Sequence, residues 1–283
     1  MSVPPTAHAA YISAPRNGQD TSSFHKFFES WLVEQNRHLH QLLSASKDKS
    51  SLSDEEEERV LRPLITVVVK HYEEYYQAKS KWSKDDVLSM FSPSWTSSLE
   101  DAFLWIGGWR PSMAFHLLYS KSGLQLEAKL AEIMNGLSSS DLGDLTPSQL
   151  GLVDELQRKT VLEEKRITEK MAKHQETVAD TAMVKLSQLA TELQIGLNEG
   201  VTDEQVDSTL APKEEGLQRV LEKSDDLRLR TLKAVINILK PIQAIHFLIA
   251  AAELHLRIHE WGQKKDAANN NAASNVSMVS TGD

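Results

Sequence analysis

The chain has 283 residues, 40% of them hydrophobic and 25% charged, and its formal net charge is −9 at pH 7. This length is enough to bury a substantial core. The acidic balance argues against strong, direct binding to DNA, which needs clustered lysine and arginine. Only residues 158–173 are mildly basic, with six Lys or Arg against three Glu. The chain has no cysteine, which excludes disulfides, thiolate metal sites and cysteine nucleophiles.

The two ends of the chain are predicted to be disordered, and the part between them to be one helical domain. Residues 1–20 are polar and carry no apolar segment of a signal peptide. Residues 267–283 are of low complexity and rich in Asn, Ala and Ser. Over residues 21–266, glycine and proline are sparse and apolar residues recur at helical spacing. We therefore predict an all-α, bundle-like domain of about eight helices, without a membrane span, in the nucleus or the cytoplasm.

The first two helices are predicted from periodic patterns. Aromatic and leucine residues recur every three or four positions over residues 22–43, which predicts one helix with a single apolar face. A second helix is predicted to begin near Ser53, because Ser53 and Glu56 match a capping box. Pro63 should kink this helix or mark a later start, since proline lacks the N–H that a helix interior uses.

Short helices and a tight turn are predicted in the middle of the chain. A short helix covers residues 84–91. Ser97 and Glu100 match another capping box, which begins a helix. The two glycines at 107–108 are predicted to end that helix.

Proline and capping residues mark the next helix starts. Pro111 suits the first turn of a helix that Gly123 closes. Thr146 has the capping-box pattern and begins a helix that is predicted to reach about Gly196. The apolar stripe of this helix thins over residues 163–180. Two interpretations remain open, namely a solvated or broken middle and a protruding helix that contacts a partner.

Two prolines also organise the C-terminal part. Pro212 is predicted in the first turn of a helix that reaches Lys240. Pro241 breaks this helix. The last helix is then predicted to run to Trp261, where Gly262 closes it.

Three blocks of the sequence have specific patterns. The first is WLVEQNR at residues 31–37, and the second centres on LWIGGWRP at residues 104–111. The third is SDDLRLRTL at residues 224–232, followed by LHLRIHEWG at residues 254–262. Together they resemble the domain that delay-of-germination proteins, which regulate seed dormancy in plants, share with the C-terminal half of TGA-type bZIP transcription factors. The resemblance covers about residues 24–265.

The resemblance implies a regulator that acts through protein partners and is not an enzyme. For the dormancy family it implies control of germination, interaction with type 2C protein phosphatases of abscisic-acid signalling, and binding of haem. TGA factors carry a bZIP segment before this domain, so the DNA-reading part is expected to be missing here. One alternative is a transcription co-regulator that works with bZIP proteins or their co-activators, and another is a pollen-aperture factor of the same wider family. The resemblance is compatible with a homodimer and with an acyl chain enclosed within the domain.

A histidine pair is the candidate cofactor site. His255 and His259 stand four residues apart on the predicted last helix, so both imidazoles lie on one face, about 6 Å apart. They match a histidine pair that the resemblance links to haem. Two axial ligands approach one iron from opposite sides of the ring, so at most one of these histidines suits that role. The alternative is two ordinary helix histidines beside Trp261, with no cofactor.

Further residues of the matching blocks are expected to form an interaction or structural signature. They are Trp31, Trp105, Gly107, Gly108, Arg110, Pro111 and Trp261. The simpler interpretation is a packed corner between helices, with tryptophans in the core. The functional one is a pocket or docking surface in which Arg110 pairs with an anionic ligand or a partner's carboxylate. No catalytic residue is indicated, and no third ligand accompanies the histidines, as a zinc enzyme would need.

Overall fold

Long helices make up most of the chain that the structure describes. The computed structural model describes residues 21–47, 54–133, 142, 145–194 and 201–279. These residues form nine α-helices and contain no β-strand, which confirms the predicted all-α class. The helices are α1 (Thr21–Lys47), α2 (Asp54–Trp82), α3 (Leu88–Phe91), α4 (Ser98–Asp101), α5 (Met113–Ile133), α6 (Pro147–Glu176), α7 (Thr181–Gln194), α8 (Asp203–Ile238) and α9 (Pro241–Val279). A 3₁₀ turn over Thr177–Ala179 joins α6 to α7.

The first half of α9 lies at the centre of the main core. α9 contacts α1, α2, α4 and α5, so residues 242–252 are buried on almost every side. Ile245 and Leu248 of α9 are fully buried, as are Phe115 and Leu118 of α5. Full burial of each such side chain contributes about 1.5–3 kcal/mol. The apolar run after Pro241 is thus a core helix.

An aromatic cluster joins α1 to the segment before α4. Phe24, Phe28 and Trp31 recur along one face of α1 and are at most 5% exposed. The ring centroid of Phe24 lies 4.7 Å from that of Trp95. Aromatic pairs of this kind add about 0.5–1.5 kcal/mol beyond their buried area. The cluster therefore fixes the position of the chain that leads into α4.

α6 and α8 lie side by side as an antiparallel pair. Arg230 of α8 donates to Glu163 in the middle of α6 at 2.7 Å. Towards the end of α6, the ring of His174 is 2.7 Å from the carbonyl oxygen of Lys213. That ring lies over Gly216, where a Cβ would come within 2.0 Å of it, so the close approach needs glycine. Ile167, Val220 and Leu227 form a buried apolar cluster along this seam.

Two of the predicted capping boxes are confirmed. Ser97 and Glu100 cap α4 reciprocally, and Thr146 and Gln149 cap α6. A third capping box, not predicted from the sequence, begins α8 at Thr202. Each cap satisfies backbone N–H groups that the first turn of a helix leaves without partners.

Two prolines lie inside helices instead of starting them. Pro63 lies within α2 and Pro212 within α8. The predicted helix start at Pro212 is therefore wrong, as is the alternative of a later start at Pro63. Both rings are exposed on the outer side of their helices, where water can hydrate the carbonyl group that loses its N–H partner.

Two glycines lie inside helices where helix ends were predicted. α5 continues through Gly123 to Ile133, and α9 continues through Gly262 to Val279, so both predicted ends are wrong. Gly262 lies close against the start of α4, and a Cβ there would lie 2.0 Å from the Oγ of Ser97. This glycine permits close helix packing instead of ending a helix.

Three predicted helices are shorter than expected. The short helix predicted over residues 84–91 covers only Leu88–Phe91. α4 stops at Asp101, and turns, not a continued helix, lead on to the glycines at 107–108. α6 ends at Glu176 and α7 begins at Thr181, so the continuous helix predicted to reach about Gly196 is wrong. The interpretation as a broken middle is confirmed, because the 3₁₀ turn over Thr177–Ala179 interrupts the helix. Before this turn α6 packs against α8 and does not protrude.

Some predictions concern the ends of the chain. The leader of residues 1–20 and the cap at Ser53 lie outside the described residues. Of the predicted tail, residues 267–279 belong to α9 and are helical, whereas residues 280–283 lie outside the described part. The domain boundary at residue 266 stays a prediction. None of the described helices combines the length and apolarity needed to cross a membrane.

Candidate functional site

Residues 105–109, called the 105–109 loop below, form a tight turn between α4 and α5. The N–H of Trp105 donates to the carbonyl of Gly108 at 2.7 Å. Ile106 and Gly107 have φ values of 48° and 65°, in the left-handed region that favours glycine. A Cβ at Gly107 would also lie 2.6 Å from a backbone carbonyl oxygen of α3. Gly107 is therefore needed both for the turn and for the close approach.

The guanidinium of Arg228, on α8, holds this loop in place. Its Nε donates to the carbonyl of Trp109 at 2.7 Å. Its Nη2 donates to the carbonyl of Ile106 at 2.9 Å and also to that of Trp105. A Cβ at Gly108 would lie 2.9 Å from the Cζ of Arg228, so the loop can approach only without a side chain there. The tight turn would otherwise leave these buried carbonyl groups unpaired.

Arg228 belongs to a buried cluster of charges with Asp225 and Lys79. The Nη1 of Arg228 donates to Oδ1 of Asp225, and the Nζ of Lys79 lies 3.1 Å from the same oxygen. Lys79 also donates to the carbonyl of Gly107 at 2.5 Å. Burial lowers the pKa of Lys79 to about 8, against the attraction of Asp225. Because buried charges are stable only when paired, the members of this cluster depend on one another.

Arg110 pairs with a carboxylate of the chain itself. Its Nη1 lies 3.4 Å from Oε2 of Glu164, a side chain of α6 that is only 2% exposed. Glu164 also accepts a hydrogen bond from the N–H of Ser112 at 2.6 Å. The guanidinium of Arg110 lies 5.3 Å from the ring centroid of Trp105. Arg110 is thus fixed in place while its side chain stays 45% exposed, which leaves donors for a second anion.

A groove opens beside this loop, between the start of α5 and the middle of α9. It encloses a cavity of about 170 Å³ with mostly apolar walls, and we call it the α5–α9 groove. The side chains that form its two walls are Met113, Ala114 and Leu117 from α5 and Leu254, His255 and Ile258 from α9. Trp109, Arg110 and Pro111 border it at the loop. Leu254 is 41% exposed, so the groove is open to solvent.

Two tyrosines of α2 close the inner side of the groove. Burial raises the pKa of both phenols, that of Tyr72 to about 12, so Tyr72 and Tyr76 stay neutral near pH 7. The hydroxyl of Tyr72 accepts from Nε2 of Gln35 at 2.7 Å. A smaller cavity of about 80 Å³ lies behind this wall. The residues common to both cavities are Tyr72, Tyr76, Trp109, Arg228 and His255.

The two candidate histidines have different surroundings. The ring centroid of His255 lies 5.6 Å from that of Trp31 and 6.2 Å from that of Trp109. Burial lowers the pKa of His255 to about 4, so this imidazole is neutral near pH 7. The Nδ1 of His259 lies 2.9 Å from Oε2 of Glu100. Burial raises the pKa of Glu100, but hydrogen bonds from His259 and the α4 cap outweigh this effect and hold the pKa below its ordinary value.

The described residues do not fit an enclosed haem between these histidines. The two side chains lie one turn apart on the same helix, so they cannot be two axial ligands of one iron. His259 is already bonded to Glu100. The cavity of 170 Å³ is smaller than the roughly 300–1,000 Å³ of pockets for drug-sized ligands. Within the described ranges, no group of three or more His, Cys, Asp or Glu could hold a metal ion. Haem binding stays a prediction, and no chemical step is assigned to it.

Comparison with known proteins gives the family of this chain. Residues 38–120 match the family model described as DOG1: Seed dormancy control. The chain is 32% identical to Protein DOG1-like 3 of Arabidopsis thaliana in an alignment 246 residues long, which covers 84% of this chain and 83% of that protein. The chain belongs to the DOG1 family.

Two less similar relatives, both from Arabidopsis thaliana, extend this result. The DOG1-family chain is 25% identical to Protein RESPONSE TO ABA AND SALT 1, over 88% of this chain and 99% of that protein. It is also 25% identical to Transcription factor TGA6, over 85% of this chain and 64% of that factor. The predicted resemblance to both groups is therefore confirmed.

The structure places the signature residues of this DOG1-family chain in three different surroundings. Five of them form or border the 105–109 loop, namely Trp105, Gly107, Gly108, Arg110 and Pro111. Trp105 is buried, as a packed corner predicts, and its neighbour Trp109 is half-buried at the groove. Trp31 is buried, and its Nε1 donates to the carbonyl of His71 at 3.1 Å. Trp261 is 56% exposed and lies outside the core.

Several residues that shape this site were not predicted from the sequence. Asp225 and Arg228 lie within the SDDLRLRTL block, and their spacing on an otherwise apolar helix face is a signal that could have found them. Lys79 and Glu164 lie in ordinary charged stretches, where nothing distinguishes them. Their roles follow only from the packing of α2 and α6 against the 105–109 loop.

Proposed function

We propose that this DOG1-family chain regulates seed dormancy or the response to abscisic acid by binding a protein partner, without a chemical step of its own. The observation that carries the proposal is the family, because the matching model is described as seed dormancy control and one relative is named for its response to ABA and salt. The reported relatives bear the names of DOG1-like proteins and transcription factors, which do not denote enzymes.

The α5–α9 groove supports a binding role. An apolar side chain that enters it is removed from water, which contributes about 25 cal/mol for each Å² of buried apolar surface. A carboxylate beside that side chain would meet Arg110 at the rim. The groove is preformed, because Arg228 holds the neighbouring loop, and a preformed site orders few groups on binding. The partner that we assign to it is a type 2C protein phosphatase of abscisic-acid signalling.

Two buried carboxylates near the groove have structural partners within the chain. Glu100 pairs with His259, and Glu164 pairs with Arg110 while it accepts from the backbone. Their task is to hold α4, α6 and the loop in position around the groove.

The similarity to Transcription factor TGA6 favours a second candidate function. In that case the chain is a transcription co-regulator that acts in the nucleus with bZIP proteins or their co-activators. Co-purification from seed nuclei discriminates between the two, since the first function predicts a phosphatase in the complex and the second predicts a bZIP protein.

Germination of seeds that lack this chain tests the proposed function. We expect altered germination in the presence of abscisic acid, restored by the wild-type chain and by Val33→Asp but not by Leu254→Asp. Both substitutions place a carboxylate at an exposed apolar position, 68% exposed at Val33 and 41% at Leu254, but only Leu254 lines the groove. Unaltered germination of the deficient seeds contradicts the proposed function. Equal restoration by the two variants, at equal protein abundance, contradicts the assignment to the groove.

A further inference from the structure

The mildly basic stretch of α6 meets further cations of α8 in the folded chain. Arg166, Lys170 and Lys173 follow one another at helical spacing, so their side chains share one face of α6. On α8, Arg219 and Lys223 are one turn apart. All five side chains are exposed. We call them together the α6–α8 basic face.

The antiparallel seam brings these two groups of cations together. On one side of them, Arg230 of α8 bonds to Glu163 of α6. On the other side, the ring of His174 contacts the carbonyl of Lys213. The helices run in opposite directions between these two contacts, and Lys170 of α6 lies beside Lys223 of α8. Sequence positions more than 50 residues apart thus form one continuous surface.

Four of the five cations on this face have no ion pair with the part of the chain that the structure describes. Lys170 lies so close to Lys223 that repulsion between the two ammonium groups lowers the pKa of Lys223. Among the residues that the structure describes, no carboxylate forms an ion pair with Arg166, Lys170, Lys173 or Lys223. Arg219 has only an exposed contact of 3.4 Å with Glu215. A bound anion would therefore relieve a repulsion that is built into the fold.

We propose that the α6–α8 basic face is a docking site for a short, carboxylate-rich segment of a partner protein. From Arg166 to Lys173 the face measures about 10 Å, at about 1.5 Å per helical residue. Its width is about 8–10 Å, the usual distance between the axes of packed helices. An extended segment covers this length with about three residues, at about 3.3 Å each. A few consecutive Asp or Glu residues match the face in size and in charge.

The surroundings of the face favour an acidic protein segment over a nucleic acid. Exposed carboxylates border the face on both helices, at Glu169 and Asp226, so only a short anion avoids them. A long polyphosphate backbone would meet these like charges on either side, and tight binding to it typically needs about 6–10 phosphate contacts. The inference does not depend on the α5–α9 groove, because none of the five cations lines it.

Fluorescence anisotropy with a labelled oligoglutamate peptide and the full chain tests the proposal. At low ionic strength we expect saturable binding that weakens as salt is added. The double variant Lys170→Glu, Lys223→Glu should bind at least about tenfold more weakly, since two attractions become repulsions. The control variant Lys264→Glu, Lys265→Glu makes the same change in net charge on exposed residues of α9 and should bind within about twofold of wild type. The arginine pair Lys170→Arg, Lys223→Arg should retain binding.

Four results would overturn the proposal. They are the absence of saturable binding, an equal loss in both glutamate variants, tighter binding of an oligonucleotide of equal charge through the same lysines, and self-association of the chain that Lys170→Glu, Lys223→Glu abolishes. The last result would assign the face to a second copy of this chain. Both lysines are exposed, so the variants should fold, and their circular dichroism should match that of wild type.

Discussion

At the scale of single residues, Arg228 makes three kinds of contact at once. It donates to carbonyl groups of the 105–109 loop, it pairs with Asp225, and its guanidinium lies 5.4 Å from the ring centroid of Trp105. Lysine has no planar fork of donors and cannot make these contacts together. We predict that Arg228→Lys lowers the free energy of unfolding by about 2–5 kcal/mol, because lysine keeps the charge but leaves carbonyl groups of the loop without their donors. Urea unfolding followed by circular dichroism measures this loss.

Arg230 provides the matched control on the same helix. Its side chain is 51% exposed and its ion pairs with Glu163 and Asp226 are at the surface. Arg230→Lys should change the free energy of unfolding by no more than about 0.5 kcal/mol. If the two variants lose equal stability, the loop does not depend on Arg228 in the way described.

Two histidines, the buried His71 and the half-buried His255, should make the fold sensitive to acid. Burial lowers the pKa of His71 and of His255 to about 4, whereas a histidine in an unfolded chain has a pKa of about 6.5. Between these values the unfolded chain binds more protons than the folded one, so stability falls as the pH decreases from about 6.5 to about 4. Each histidine contributes up to roughly 3 kcal/mol to this loss, and neither contributes a pH dependence above about pH 7.5.

Thermal unfolding at a series of pH values tests this dependence. His71→Phe keeps a flat ring against Trp31, whose centroid lies 4.6 Å from that of His71. This variant should therefore lose less stability than wild type as the pH decreases from about 6.5 to about 4. His40 is exposed on α1, and His40→Phe should leave the curve unchanged. An equal loss of stability at acid pH in wild type, His71→Phe and His40→Phe would show that His71 is not buried in its neutral form.

At the scale of helices, two glycines with different surroundings give opposite predictions. Gly262→Ala places a methyl group 2.0 Å from the Oγ of Ser97 and should destabilise the protein by about 1–3 kcal/mol, because α9 must move away from α4. Gly151 lies inside α6 with nothing within 4 Å of the added atom. Gly151→Ala should therefore stabilise the protein by about 0.5–1 kcal/mol. Urea unfolding distinguishes the two, and a stabilising Gly262→Ala would contradict the close contact between α4 and α9.

The same glycine shows which helix boundaries a sequence can predict. The caps at Ser97 and Thr146 were predicted correctly because the hydrogen bonds of a capping box form within a few residues. The prediction that Gly262 ends a helix was wrong. In a sequence, a glycine that permits close packing cannot be distinguished from one that ends a helix until the neighbouring helix is known. The predicted helix start at Pro212 and the alternative of a later start at Pro63 were wrong for a related reason, because only the position of each ring on the solvent side allows its helix to continue.

At the scale of the whole molecule, α9 connects the core, the aromatic cluster and the α5–α9 groove. Its first half is buried in the core, His255 contacts Trp31, and His259 pairs with Glu100. The fold class and the family could be predicted from helical periodicity and three sequence blocks. The pairing of Arg110 with Glu164 could not, because the two residues are 54 positions apart and meet only when α6 packs beside the loop.

The affinity of the full chain for a type 2C protein phosphatase, measured by isothermal titration calorimetry, tests the central claim most directly. We predict saturable binding that Leu254→Asp weakens at least about tenfold, because a charge then lies in the apolar groove. Val33→Asp, at an exposed apolar position on α1, should bind within about twofold of wild type. No binding by the wild-type chain, or the same affinity in both variants, would contradict the claim that this DOG1-family protein acts by binding a phosphatase in the α5–α9 groove.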